Sequence, residues 1–332
     1  MSDNADRDPL ADLPPELKDE PEAAPPPRRR LLRPVLYAVA AALLLYYPLG
    51  MAWLHKIDDD PDFALEVRDV PRQGSRAVAL AAELIAREVD EHRWIANDPF
   101  FLPGAALDNM PNFQQGIISA LARFAFELSD QIGRVRGSSQ TDKDLQEASG
   151  LLQYSGTKWY FDFATSFAPT ATSEQQYRAA RRALISYNRR LADGQAIFER
   201  RADNLLATLD RIALDLGSAS AALDSQITLH SGDWIDFRSD DVFYSIKGQA
   251  YAYFLILREL EHDFENIIRE RQLQATWAQM LYSFREAAVM DPLVVVNARP
   301  DSVLRPSHLA AQGFYLLRAR TQLREITNIL LK

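Results

Sequence analysis

Residues 173–223 read SEQQYRAARRALISYNRRLADGQAIFERRADNLLATLDRIALDLGSASAAL, and their apolar positions settle the class of the fold. Tyr177, Ala180, Leu184, Tyr187, Leu191, Gly194, Phe198, Ala202, Leu205, Leu209, Ile212, Leu216, Ala219 and Leu223 follow one another at steps of three and four. That spacing places them on one face of an α-helix. Two consecutive steps of four, at Gly194–Phe198–Ala202, keep the stripe in phase with 3.6 residues per turn. Ser173 followed by Gln176 predicts a capping box at its start.

A second series runs Phe243, Ile246, Ala250, Tyr253, Leu257, Leu260, Phe264, Ile267 and resumes at Leu273, Trp277, Met280 and Phe284. Read as continuous, each stripe predicts a helix of nearly 50 residues, about 75 Å long at 1.5 Å per residue. Asp193-Gly194 and Gly217 are where the first could bend or break. Shorter stripes precede and follow: Val78, Ala82, Ile85, Val89; Phe113, Ile117, Leu121, Phe124, Leu128, Ile132; a helix over 142–152; and Leu309, Leu316, Leu323, Ile326, Leu330. Val294-Val295-Val296 is the one segment with strand character. The expectation is an all-α elongated helical bundle with long antiparallel helices over residues 74–332.

One N-terminal transmembrane helix is expected ahead of this domain. Pro34–Leu54 is an uncharged run of 21 residues, as long as a helix needs to cross a hydrocarbon core of about 30 Å. Arg28, Arg29, Arg30 and Arg33 precede it, whereas Lys56 is followed by Asp58, Asp59 and Asp60. By the positive-inside rule the N-terminus is cytoplasmic and the helical domain lies across the membrane. Gly50-Met51-Ala52 resembles a signal-peptidase site, but the leader and the apolar run are both long for a cleaved signal. Residues 1–27 hold seven prolines and eight acidic residues against Arg7 and Lys18, the composition of a disordered tail. Residues 55–73 read as a linker.

The chain has no cysteine, which excludes disulfides, thiolate metal sites, a cysteine nucleophile and lipidation at the anchor. Its net charge is −9, and the domain beyond the span is itself acidic, so nucleic acid is not an expected partner. Glu259-x-x-His262 has the spacing of di-iron bundles, but no second copy exists, and the phase of Leu257, Leu260 and Phe264 turns both residues toward solvent. No metal or other cofactor is expected. Phosphate-loop, dinucleotide and serine-hydrolase signatures are absent.

Chemistry concentrates in four segments rich in aromatics, proline and polar side chains: 94–116, 154–169, 230–244 and 290–306. If the helices alternate in direction, the first, second and fourth share one end, and the third lies at the other with the linker. Asn97, Asp98, Asp108, Asn109, Lys158, Asp162, Asn297 and Arg299 would then line one distal surface that binds a ligand or a partner. The competing reading is that these loops plug the bundle with aromatics and satisfy their own polar groups. His92 continues the stripe of Ile85 and Val89, as a half-buried histidine or as a ligand or acid–base group. Asp233 with Asp236, or Asp240 with Asp241, could act as paired carboxylates; Asp240 and Asp241 fit better as groups at a helix start.

The block NDPFFLPGAALDNMPNFQQGI at 97–117, behind a single N-terminal span, resembles the bacterial family known as domain of unknown function 2333. The resemblance implies a Gram-negative inner-membrane protein facing the periplasm, and it carries over no catalytic residue. The function expected is that of a cell-envelope scaffold or interaction module, with envelope proteins or a second copy as partners. The alternative is an envelope enzyme or ligand-binding protein acting through the aromatic and carboxylate loops.

Overall fold

The computed structural model describes residues 28–65, 70–133, 141–161, 168–231, 237–300 and 302–332. The acidic tail, Asp162, Asp233 and Asp236 fall outside the described residues. The chain divides into two units, Met1–Pro48 and Leu49–Lys332. Ten α-helices are described: α1 (Arg28–Leu54), α2 (Arg76–Ala86), α3 (Asn109–Glu127), α4 (Lys143–Leu152), α5 (Ser173–Ala192), α6 (Ala202–His230), α7 (Phe237–Asp263), α8 (Glu265–Glu270), α9 (Gln274–Ala288) and α10 (His308–Leu330). No strand occurs among the described residues. Helix α1 contains Pro34–Leu54, whose mean hydropathy is 1.8 and none of which is buried, a segment long and apolar enough to cross a membrane.

Side-chain partners give the helix directions in the second unit. Arg76 meets Glu259 and Arg87 meets Tyr251, so α2 and α7 are antiparallel. Asp90–Arg178 and Ser75–Asn188 set α5 antiparallel to α2, and Asp144–Ser186 with Tyr154–Tyr177 sets α4 antiparallel to α5. Arg211–Glu127 and Arg123–Asp215 oppose α3 to α6; Tyr253–Asp215 and Gln226–Ser239 oppose α6 to α7. Lys247–Met290 and Tyr253–Phe284 do the same for α7 and α9. Gly217 lies by Arg320 and Gly313 by Leu223, which opposes α10 to α6. The long helices therefore alternate up and down in chain order.

Because α3 and α7 both run up, they pack in parallel at the centre. Their approach is set by glycine. A Cβ on Gly116 would fall on the Ser245 carbonyl oxygen and lie 2.9 Å from the Gln249 nitrogen, and one on Gly248 would fall on the Phe113 carbonyl. Backbone meets backbone here, which no other residue type permits.

The apolar stripes are the core. Leu184, Tyr187, Leu205, Leu209, Leu257, Leu260, Trp277 and Leu323 are all fully buried. Neither long stripe is one helix, however. The first stops at Asp193, turns through Gly194 at φ +69, and restarts at Ala202. Phe198 stays buried in the connection, tilted against Phe264 with ring centroids 5.8 Å apart, while Glu199 N donates to Ile132 O at 2.9 Å. The stripe passes through the break in phase because a loop residue occupies the position a helical one would have filled. The second stripe breaks at Phe264 and at Gln272, where φ is +55. The longest helix of the second unit is thus α6 at 29 residues, about 44 Å long.

The break after α5 adds a reversal that the continuous reading lacks. The third aromatic segment, following α6, consequently lies at the same end as the other three, not opposite them. Other corrections are smaller. The capping box uses Thr172 and Gln175, one residue earlier than the sequence suggested. Residues 294–296 form no strand; an isolated bridge pairs Asn297 with Ser307. His262 is exposed as expected, but Glu259 is buried, because Arg76 at 2.7 Å and Arg258 at 3.0 Å neutralise it.

At the opposite end, Asp263 of α7 caps the start of α2. It accepts from Ser75 Oγ at 2.6 Å, Arg76 N at 3.0 Å and Ala77 N at 3.1 Å. Asp263→Ala strands three donors, and chemical denaturation is expected to register a loss of about 2–4 kcal/mol. Asp263→Asn keeps one acceptor oxygen and should lose less.

Candidate functional site

The loops after α2, α4, α6 and α9 share one end of the second unit, and the chain enters that unit there. Lys56 N donates to Met110 Sδ at 3.2 Å, and Pro103 closes on Gly50 so tightly that a Cβ on the glycine would clash with its ring. The loops therefore belong to the end at which α1 finishes. The distal placement read from the sequence is corrected, because residues 55–65 do not stay at the far end but run along α7 from this end toward the start of α2.

The first two loops form one cluster. Trp94 Nε1 donates to Gly156 O at 2.8 Å, and its ring meets Tyr177 edge-on at 5.0 Å. Asn97 Nδ2 donates to Lys158 O and to Glu174 Oε2, both at 2.8 Å. Asp98 pairs with Arg93 at 3.1 Å, and burial pushes its carboxyl above the usual aspartate range. Gly104 lies so close to Asp98 that a side chain there would displace the carboxylate. Asp108 caps α3, accepting from Asn109 N at 2.9 Å. Phe101 and Trp159 join the loop tips with centroids 5.8 Å apart.

The fourth loop is held separately. Asn297 Nδ2 donates to Gln226 O at 3.1 Å near the end of α6, and Arg299 is exposed. His308 Nδ1 accepts from Val296 N at 2.9 Å, and burial lowers the pKa of the ring below the ordinary value of 6.5. This bond requires neutral imidazole. A histidine whose folded pKa is lowered contributes stability above its unfolded pKa and loses it as pH falls through the folded one. Acidification below about pH 6.5 should therefore loosen the 289–307 loop, seen as a Val296 amide shift that titrates together with the His308 ring in NMR spectra.

The expected site residues thus divide. Asn97, Asp98 and the Lys158 backbone meet in one cluster, Asp108 and Asn109 sit at the α3 start, and Asn297 and Arg299 belong to another loop. Most of their polar atoms hold loops together. The exceptions are Asn97 Oδ1, Asn109 Oδ1, Asn297 Oδ1 and His92 Nδ1, which are buried without a hydrogen-bond partner. Among the described residues no group of three or more histidines and carboxylates is placed to hold a metal ion.

Sequence reasoning missed a strap made by residues 55–65, which lie along α7. Lys247 is fully buried; its Nζ donates to Met290 O at 2.7 Å and pairs with Asp59 at 2.7 Å. Tyr251 donates to Asp60 O at 2.8 Å, and Arg258 donates to Pro61 O at 2.9 Å and to Phe63 O. Arg87, also buried, reaches Glu88 at 2.9 Å, the Tyr251 hydroxyl at 2.8 Å and Asp58 O at 3.0 Å, with its guanidinium 4.7 Å from the Phe63 ring centre. The ionised neighbours outweigh burial and raise its pKa. His92 lies 3.7 Å from both Asp58 and Glu88, between strap and helix. The signal in the sequence was Lys247, Tyr251 and Arg258 at helical spacing, facing the acidic run Asp58–Asp60.

On the outer side of α3 a groove of about 440 Å³ runs between α4 and α6, floored by Ile118, Ala122 and Leu152 and flanked by Arg123 and Arg211. Arg211 is committed to Glu127 at 2.8 Å, whereas Arg123 reaches Asp215 only at 3.8 Å.

A family model described as an uncharacterized protein conserved in bacteria, domain of unknown function 2333, matches residues 66–332. No curated protein and no solved structure matches the chain.

Proposed function

The chain belongs to the bacterial family domain of unknown function 2333, and we propose that it is a single-pass inner-membrane protein whose helical domain serves as a cell-envelope scaffold. In this reading α1 is the retained span, the N-terminus is cytoplasmic and Leu49–Lys332 works in the periplasm. The observation that carries the proposal is the strap. Four buried or half-buried side chains, Arg87 just after α2 and Lys247, Tyr251 and Arg258 of α7, grip the eleven residues after the apolar helix. A flexible tether would suit an enzyme that must reach its substrate; a clamped one fixes the orientation of a surface. The loop polar groups support the same reading, since most of them are spent on holding the loops to one another and to α5 and α6. Crosslinking of native membranes followed by affinity recovery of the full chain should yield a discrete envelope partner or a second copy. Recovery of neither would contradict the scaffold role.

The α3 groove favours a second reading, a ligand-binding envelope protein, because its size and mixed lining suit a small molecule. Arg123 is the residue with charge to offer such a ligand. A ligand whose binding is lost in Arg123→Ala at unchanged thermal stability would establish this reading over the first.

A further inference from the structure

The loop end carries large apolar side chains that the fold leaves in solvent. Phe100 is 84% exposed, Leu293 101%, Val303 95% and Leu304 93%. They come from two loops, the one after α2 and the one after α9, and Phe101 lies beside Phe100. At the opposite end the large apolar side chains exposed among the described residues are Phe126 at 41%, Ile197 at 40% and Leu331 at 72%. Burying any one of the four away from water is favourable. A soluble surface does not ordinarily collect them on loop tips at one end.

What lies against this end is indicated by the chain itself. Residues Leu49–Leu54, the last turns of the apolar helix, belong to the same unit, and Gly50 packs on Pro103 between these tips and α3. Trp53, 80% exposed, stands where an aromatic belt residue would mark the headgroup layer. We propose that the tips carrying Phe100, Leu293, Val303 and Leu304 insert into the interface of the bilayer that α1 spans, so that the domain rests on the membrane through its loop end. The contact is apolar: exposed Lys56, Arg93, Arg238 and Arg299 are offset by exposed Asp90, Glu91, Asp108 and Asp291 at the same end. Anionic lipid is therefore not required. Lipid contact at several points beside one span fixes tilt as well as position, which a single helix cannot do. This inference rests on the reading of α1 as a retained span.

The absence of cysteine makes the test direct. Full-length chain carrying a single cysteine at Leu44, Ile197, Leu293 or Leu304 is labelled with an environment-sensitive fluorophore and reconstituted into nanodiscs of zwitterionic lipid, with and without nitroxide-bearing lipid. Helicity by circular dichroism confirms that each variant is folded. The expected result is that nitroxide lipid quenches labels at Leu44, Leu293 and Leu304 and leaves Ile197 unaffected. Quenching at Leu44 without quenching at Leu293 and Leu304 overturns the loop contact while the anchor stands. No quenching at Leu44 overturns the anchor itself. Labels at Leu293 and Leu304 that stay in water in pure lipid but become shielded in native envelope vesicles overturn the proposal in favour of a protein partner.

Discussion

Gly248→Ala is expected to destabilise the helical domain by about 4 kcal/mol or more, beyond the usual range for overpacking. The added methyl has no flexible neighbour to displace, because it meets the Phe113 carbonyl oxygen and its backbone carbons. Relief requires α3 and α7 to separate, and these two helices form the centre on which α2, α6, α9 and α4 are arranged. Gly116→Ala presses on the Ser245 carbonyl and should behave alike. Gly150 supplies the control. It sits in α4 with nothing within 4 Å of a prospective Cβ, so alanine there should stabilise by about 0.5–1 kcal/mol through helix propensity alone. Urea denaturation of the three variants decides the matter. Equal effects at Gly248 and Gly150 would mean that α3 and α7 do not meet backbone to backbone.

The second large effect is expected at Arg87. Arg87→Met removes the charge that accompanies Glu88, a carboxylate 1% exposed, and leaves it buried. Breaking a buried pair from one side costs about 3–5 kcal/mol, much of it the penalty of the stranded charge. The strap also loses its bond at Asp58 O, so proteases should cut within residues 58–65 faster than in the parent chain. Arg87→Met combined with Glu88→Met should recover a large part of the stability, since no charge is left unpaired. It should not restore protection of the strap, because the Asp58 contact is still missing. Recovery of both would assign Arg87 to the core alone.

Much of this architecture was legible in the residues. The positions at Tyr177–Leu191, Leu205–Leu223, Phe243–Leu260 and Trp277–Phe284 are buried as their spacing requires, because period and burial share one cause. Where the reading failed, a loop residue imitated a helical one. Phe198 is buried at the next position in phase although its backbone is not helical. Hydrophobic phase records which side chains are inside and says nothing about chain direction between them. That ambiguity moved one loop to the wrong end; the distal placement had a separate cause, the path of residues 55–65 along α7.

The candidate site was less legible. Asn97 and Asn297 share a composition of neighbours, yet one binds the start of α5 through Glu174 and the other the end of α6 through Gln226. Loop side chains of this kind take partners from elements far away in sequence, and no local pattern names them. Lys247 was hidden for a different reason. A lysine near an apolar stripe reads as solvated, and only the path of residues 55–65 over α7 reveals the half-buried carboxylate and the carbonyl it serves.

The reversal between α5 and α6, together with the break between α7 and α9, brings all four loops to one end. Spin labels at the exposed positions Arg182 and Asp224 measure it by pulsed electron resonance in the full chain. A reversal at residues 193–201 places them roughly 25–30 Å apart, from the helix rise and about two interhelical spacings. A helix running on through Gly194 would hold them about 63 Å apart at 1.5 Å per residue, and that distance would contradict the common loop end.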